Sequence, residues 1–223
     1  MAAPIITYTS ESCEIPYEQI IRYIGMAGQD VPENITAMIG KALPVMAGVL
    51  KYKACYLETN VSITNSTVSF DYFSVDSHNL SSVLKGCQKA VLIAATVGPG
   101  ADMLVKRAEV TSKAEALIYN SIAIAAIESF MGVFNGYLKT QFPRYELRPR
   151  YSPGYGDVPL STQKELLSTL DTNRKIGVAL SDSLLMTPTK SVSAIIGLGE
   201  DGCVHVDRDC DICSKRDCEF RLS

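Results

Sequence analysis

The side chains best suited to binding a small molecule lie between residues 148 and 160. This segment reads RPRYSPGYGDVPL and contains three prolines and two glycines. Each proline fixes its own φ at about −65° and disfavours helix for the residue before it. We therefore predict a rigid loop rather than a helix or an interior strand.

The residue types in this loop indicate recognition of a charged ligand. Arg150 offers a guanidinium that can hold a carboxylate through paired hydrogen bonds. Gly154 follows Pro153 and can adopt a positive φ, which lets a ligand approach the backbone closely. Tyr155 adds a ring for stacking and a hydroxyl for hydrogen bonding. The alternative is a structural loop whose arginine pairs with a surface acid.

The elements that must position this loop follow from hydrophobic periodicity. Helical spacing predicts helices over residues 17–26, 32–51, 80–86, 101–109, 112–140 and 163–170. Alternation and short apolar runs predict a hairpin within 52–75 that turns near Asn65 and Ser66, and strands over 90–97 and 191–198. Helices mixed with hairpins predict an α+β fold, an antiparallel or mixed twisted sheet with packed helices.

Two local signals refine the helix boundaries. Ser112, followed three positions later by Glu115, has the spacing of a capping box and predicts the start of the longest helix. Pro44 lies inside the second helix and is expected to kink or split it.

Two glycine patterns are similar to phosphate-binding loops. Residues 98–100 (GPG) separate a strand from a helix, so a simple connecting turn competes with an anion-binding turn. Residues 197–202 fit G-x-G-x-x-G, but a dinucleotide fingerprint needs a helix immediately afterwards. An alternating segment follows instead, and we predict a hairpin turn at Asp201 and Gly202.

Composition limits the class of protein. We expect residues 1–200 to form one α+β domain and 201–223 a cysteine-rich tail. The 47% hydrophobic and 20% charged content is typical of a globular chain, and a net charge of −3 argues against a nucleic-acid partner. Residues 1–30 lack a secretion signal, and polar residues interrupt the apolar stretch 117–133. We therefore expect a cytoplasmic protein with no membrane partner.

The order of motifs resembles the activation domain of vitamin B12-dependent methionine synthase, as a stand-alone protein. Arg150-x-x-x-Gly154-Tyr155 comes first, followed by 164–167 (KELL), 176–183 (IGVALSDS) and 186–193 (MTPTKSVS). The similarity is strong over residues 148–198. It is weaker in the long helix before them and in the first helix.

The resemblance implies a binding site for S-adenosylmethionine. Arg150 would hold the methionyl carboxylate, the backbone around Ser152 and Gly154 would meet the adenosine, and Tyr155 would line the pocket. Glu128 lies in an otherwise apolar helix, where a carboxylate needs a partner. Its partner is expected to be the ligand, Arg150 or a backbone amide.

The resemblance also implies a reaction and its partners. The protein would support reductive methylation of cob(II)alamin in a corrinoid-binding methyltransferase, with electrons from a donor such as flavodoxin or ferredoxin. No catalytic residue is predicted, because His78 and His205 are the only histidines and neither lies near the loop in the sequence or in a recognisable triad. One departure is Gly25, which stands where the family has a ligand-contacting aspartate. The alternative function is a non-catalytic S-adenosylmethionine-sensing or metal-binding regulatory module.

The C-terminal residues contain a candidate metal site. Cys203, Cys210, Cys213 and Cys218 follow the spacing C-x6-C-x2-C-x4-C. Clustered thiols in a cytoplasmic chain favour metal binding over disulfides. Four thiolates suit zinc or an iron–sulfur cluster, and free thiols on a tail are the alternative.

Overall fold

The computed structural model describes residues 4–200. Along this range the helices and strands follow one another as β1 (Ile6–Ser10), α1 (Tyr17–Ile24), α2 (Glu33–Ala47), β2 (Tyr52–Thr64), β3 (Thr67–Phe70), β4 (Ser74–Asp76), α3 (His78–Val83), β5 (Lys89–Thr96), α4 (Pro99–Thr111), α5 (Lys113–Gln141), β6 (Glu146–Leu147), α6 (Thr162–Thr169), α7 (Thr172–Ile176), β7 (Ala179–Leu180), β8 (Met186–Thr187) and β9 (Ser191–Gly199).

Seven strands form one antiparallel sheet. Its order is β4-β3-β2-β5-β9-β6, and β1 pairs with the first part of β2, on the same side as β3. The hairpin between β2 and β3 turns at Asn65, whose φ of 57° is left-handed, and at Ser66. Strands β7 and β8 form a separate two-stranded hairpin. The predicted α+β fold with an antiparallel sheet and packed helices is confirmed.

The sheet is buried on both faces, which explains why β5 and β9 are apolar along most of their length. Alternate residues of β2 enter different cores, because successive side chains of a strand point to opposite faces. Tyr56 packs with α1, α2 and α5 in one core, whereas Leu57 packs with α3, α6 and α7 in the other. Helices therefore cover both faces of the sheet.

Helix α5 is the central helix of the first core. It starts where predicted, since the Glu115 amide donates to the Ser112 hydroxyl at 3.3 Å. Phe130 and Phe134 are fully buried, and Tyr137 stacks on Tyr8 with ring centroids 4.4 Å apart. By length and apolar composition alone, α5 could cross a membrane, yet 56% of the apolar 18-residue stretch that would do so is buried within the domain. Its apolar character is thus used in core packing.

Helix α2 continues through Pro44 to Ala47, so of the predicted kink or split the split does not occur. Pro44 lies in the last turn, so only a few residues of helix follow the lost hydrogen bond. Its carbonyl still accepts the Gly48 amide at 3.2 Å. The helix therefore ends just beyond the proline rather than at it.

Described glycines of both phosphate-loop-like patterns are closely packed. Gly98 has a φ of 83° and lies between β5 and α4, so the predicted position of this turn between a strand and a helix is confirmed. A Cβ on Gly100 would lie 2.6 Å from the carbonyl oxygen of Val49. Gly197 belongs to β9, where a Cβ would lie 2.7 Å from Leu84. The predicted turn at residues 201 and 202 falls outside the described range.

Two glycines of α5 have no such packing role. Gly132 and Gly136 are exposed, and a Cβ added at either would meet nothing within 4 Å. Glycine inside a helix costs roughly 1 kcal/mol relative to alanine. We expect Gly132→Ala to raise the free energy of unfolding by about 0.5 to 1 kcal/mol in denaturant titrations.

Gly100→Ala is the matched control for this experiment. The same added methyl group would collide with the backbone of Val49 there, so the free energy of unfolding should fall. If Gly132→Ala were no more stable than the native protein, the conclusion that this face of α5 is exposed would be wrong.

Candidate functional site

Three parts of the chain meet at the candidate site: the end of α1, the middle of α5 and the loop of residues 148–160. The loop is fixed to the sheet by Tyr151, which is buried and exchanges two backbone hydrogen bonds of 2.9 Å with Ile195 of β9. Arg150 immediately precedes this bridge, so the sheet determines where its backbone lies.

Arg150 and Glu128 form an ion pair across the site. The Arg150 Nη2 and Glu128 Oε2 atoms are 3.3 Å apart, and 30% and 39% of the two side chains are exposed. Of the three partners expected for Glu128 from the sequence, the structure shows Arg150. An ion pair this open to water contributes only about 0 to 1 kcal/mol to stability. A ligand can therefore replace either partner of this ion pair with little loss of stability.

Tyr23 of α1 shares the electrostatic environment of this pair. Partial burial raises the pKa of its phenol, and the Glu128 carboxylate raises it further, while Arg22 and Arg150 lower it. The nearby Tyr155 also raises the pKa of this phenol. The sequence prediction did not include Tyr23 among the site residues.

Gly25, where the resemblance predicts a departure from the family's aspartate, ends α1. Its φ of 88° is left-handed, and its amide donates to the Arg22 carbonyl at 3.0 Å. A glycine is favoured here because a left-handed residue closes the helix. This position supplies no charge to the site, which leaves Glu128 as the carboxylate facing Arg150.

The loop presents Tyr155 at its tip. Gly154 has a φ of 89°, and its amide donates to the Val158 carbonyl at 3.0 Å. The Tyr155 amide donates to the Ser152 carbonyl at 3.1 Å, and the Val158 amide donates to the Tyr155 carbonyl at 3.0 Å. The Tyr155 side chain is 65% exposed. The turn predicted at Gly154 therefore exists, and internal backbone hydrogen bonds hold it.

Asp157 connects the loop to α3 and was not predicted from the sequence. Its carboxylate accepts hydrogen bonds from the Ser77 hydroxyl, from the His78 amide at 2.7 Å and from the Asn79 amide at 3.3 Å. Desolvation raises the pKa of this carboxyl, but the hydrogen bonds from Ser77, His78 and Asn79 together lower it below its usual value. The aspartate is thus held ionised.

The other motifs of the resemblance lead away from Arg150. Residues of 164–167 and 176–183 line a separate groove of about 470 Å³ between α6, α7 and the β7–β8 hairpin. Lys164, Asp171 and Asp182 lie around it, and its lining residues include none of Arg150, Glu128 and Tyr23. The structure therefore places these motifs beside a second surface.

The predicted metal ligands cannot be located. Cys203, Cys210, Cys213 and Cys218 fall outside residues 4–200. Within that range, no three histidine, cysteine, aspartate or glutamate side chains are grouped so that they could hold a metal ion. Among residues 4–200, Cys13, Cys55 and Cys87 form no disulfide with one another.

Comparison with known proteins identifies the type of domain. A crystal structure described as "Crystal Structure of the MetH Reactivation Domain bound to AdoHcy" superposes with a TM-score of 0.70 at 14% identity, over 92% of this chain and 82% of that one. The chain thus has the fold of a reactivation domain. Residues 144–203 match the family "Vitamin B12 dependent methionine synthase, activation domain". No curated protein sequence matches the chain. The resemblance to this activation domain, predicted from the motifs, is confirmed.

The lowered pKa of Asp157 predicts a pH dependence of stability. A carboxyl whose folded pKa is depressed contributes stability above its unfolded pKa of about 3.9 and loses it as the pH falls through the folded value. We expect Asp157→Asn to be less stable than the native protein by a constant amount from about pH 7 to about pH 5, and by less below about pH 4. Denaturant titrations at each pH measure this difference. An equal difference at pH 7 and at low pH would show that ionisation is irrelevant.

Proposed function

We propose that this protein binds S-adenosylmethionine and supports the reductive methylation of cob(II)alamin in a partner corrinoid methyltransferase of the methionine synthase type. The observation that carries the proposal is the half-exposed pair of Arg150 and Glu128, beside Tyr23 and Tyr155, in a domain whose residues 144–203 match the activation family. The neighbour in which the fold recurs is bound to AdoHcy, and this supports a ligand of the same class here.

The opposed charges fit the methionyl end of S-adenosylmethionine, which carries a carboxylate and an ammonium group. Arg150 would take the carboxylate, and Glu128 would take the ammonium in place of the missing aspartate at Gly25. One internal ion pair is then replaced by two pairs with the ligand. A guanidinium–carboxylate hydrogen bond of this kind contributes roughly 1.5 to 3 kcal/mol.

The remaining residues fit the adenosine. Gly154 has a left-handed φ, and the Leu160 side chain lies 3.2 Å from where its Cβ would be. In this proposal the adenosine meets the backbone between Ser152 and Gly154 on the side that Leu160 leaves open. Tyr155 is exposed and Tyr23 half-buried, and each offers an aromatic ring for stacking. In this proposal Arg150 determines the orientation of the ligand, and the tyrosines determine which ring system it carries.

The role of this chain in the reaction is to position the methyl donor. One electron from an external donor, such as flavodoxin or ferredoxin, and the methyl group of S-adenosylmethionine would pass to the cobalamin of the partner, which leaves S-adenosylhomocysteine. Departure of a methyl group from a sulfonium needs no proton transfer, so a general base is unnecessary. Holding the donor in one orientation near the partner supplies the rate advantage.

Arg150→Ala tests the proposed ligand contact. We expect the dissociation constant for S-adenosylmethionine, measured by calorimetry, to rise at least tenfold because about 1.4 kcal/mol or more of carboxylate binding is lost. Arg174→Ala is the matched control, since Arg174 of α7 is 85% exposed and pairs with Asp171 at 3.5 Å. Equal binding by native protein and Arg150→Ala would refute the assignment of Arg150.

A transfer assay separates reactivation from sensing. The protein is mixed with a corrinoid methyltransferase in the cob(II)alamin state, a reductant and S-adenosylmethionine labelled in its methyl group. Label on the corrinoid that depends on this protein is the expected result. Binding of the ligand without any transfer would favour the sensing module instead.

The cysteines of residues 201–223 remain a proposed zinc or iron–sulfur site. Their clustered spacing supports it, as does the cytoplasmic location that we propose, where thiols stay reduced. We expect protein purified without oxygen to contain about one zinc ion or one cluster per chain, detected by metal analysis and visible absorbance. Substitution of all four cysteines by serine should abolish the metal. Metal-free native protein would leave these residues as free thiols.

A further inference from the structure

The loop of residues 148–160, which we call the ligand loop, is hydrogen-bonded to α3, which lies far away in the sequence. Ser77 and Asp157 are 80 positions apart, yet the Ser77 hydroxyl donates to the Asp157 carboxylate. The same hydroxyl accepts the Leu80 amide at 2.9 Å and so caps α3. The amides of His78 and Asn79 complete the contact. The Asp157 carboxylate therefore joins the loop to the first turn of α3. We call this contact of Asp157 with Ser77 and the two amides the α3 anchor.

The backbone next to Asp157 is closely packed against the same region. Gly156 has a left-handed φ of 53°, and a Cβ at this position would overlap the Tyr151 hydroxyl and the Asn79 side chain. Tyr151 is itself bonded to Ile195 of β9. The segment from Tyr151 to Asp157 is consequently held at one end by β9 and at the other by α3.

The side chains of the proposed ligand site stand next to these two fixed points. Arg150 directly precedes Tyr151, and Tyr155 directly precedes Gly156. Tyr155 is mostly exposed, so neighbouring side chains do little to orient it. The direction of its ring depends on the backbone, which is held by the hydrogen bonds within the turn, by the bridge of Tyr151 to β9 and by the α3 anchor.

We propose that Asp157 is a positioning residue that pre-organises the ligand loop through Ser77 and the amides of α3. The inference rests on the proposed function, because its consequence is tighter binding of S-adenosylmethionine. A loop without the anchor would have to be ordered by the ligand, and the entropy lost on ordering would weaken the affinity. Asp157 itself need not touch the ligand.

The affinity of Asp157→Asn is the first test. At about pH 7, calorimetry should give a dissociation constant for S-adenosylmethionine about tenfold higher than that of the native protein. Ser77→Ala should weaken binding in the same direction but less, because the amides of His78 and Asn79 still reach the Asp157 carboxylate. The double variant should lose less than the sum of the two single effects, because the bond between the Ser77 hydroxyl and the Asp157 carboxylate is lost in both. Full additivity of the two effects would overturn the proposal.

Asp71→Asn is the matched control. The Asp71 carboxylate also accepts a hydroxyl, that of Thr59 at 3.1 Å, and a backbone amide, that of Asn60 at 2.8 Å. Hydrogen bonds from Asn60 lower its pKa, as hydrogen bonds lower that of Asp157. It joins β2 to the turn after β3, and its hydrogen bonds are with Thr59 and Asn60 rather than with residues 148–160. Asp71→Asn should keep the native affinity, and equal weakening by both variants would attribute the effect to general destabilisation.

Hydrogen exchange tests the anchor without any ligand. The amides of Gly154 and Val158 bond within the loop and report its order. Their exchange should be faster in Asp157→Asn and native in Asp71→Asn. Native exchange rates in Asp157→Asn would overturn the anchor whatever the ligand. Faster exchange in a protein that does not bind S-adenosylmethionine would instead refute the proposed function and leave the anchor intact.

Discussion

The candidate site depends on one interaction, the ion pair between Arg150 of the loop and Glu128 of α5. It joins two parts of the chain that otherwise belong to different layers, since α5 packs on one face of the sheet while the loop runs from the sheet edge toward α3 on the other. The pair is partly open to water and so contributes little to stability. It keeps a cation and an anion facing each other where a zwitterionic ligand can separate them.

The rest of the fold keeps these two charges in place. Glu128 is held by a helix of 29 residues whose aromatic side chains pack into the first core. Arg150 is held by the backbone, through the bridge of Tyr151 to β9 and the contact of Asp157 with α3. A rigid helix on one side and a loop fixed at two points on the other are what a pre-organised site requires.

The sequence predicted the parts of the fold whose signal is local. Helix α5 has a capping serine and a long apolar pattern, and β5 and β9 are apolar runs, so their bounds agree with the prediction to within about two residues. Strand β1 was missed, because five residues without a turn signal become a strand only by pairing with β2. Helix α7 and the two-residue strands β6, β7 and β8 were missed because segments of five residues or fewer are too short to show a periodic pattern. The effect of Pro44 on α2 was overestimated, because the sequence did not show that the helix ends one turn after this proline.

The site was predicted in the same uneven way. Arg150, Gly154 and Tyr155 lie in one motif, and the cost of an isolated carboxylate in an apolar helix predicted a partner for Glu128, with Arg150 as one of three candidates. Tyr23 and Asp157 were missed, because each meets its partners only through the tertiary fold. A weak signal for Asp157 existed, since aspartate after a left-handed glycine is typical of a turn. The division into residues 1–200 and 201–223 remains a prediction.

The most direct test of the central claim compares two ligands on the unaltered protein. S-adenosylmethionine and its decarboxylated form differ only in the carboxylate that Arg150 is proposed to hold. Calorimetry should give at least tenfold tighter binding of the carboxylated ligand, which corresponds to about 1.4 kcal/mol. Equal affinity for the two ligands would contradict the account, because the guanidinium would then have no part in recognition.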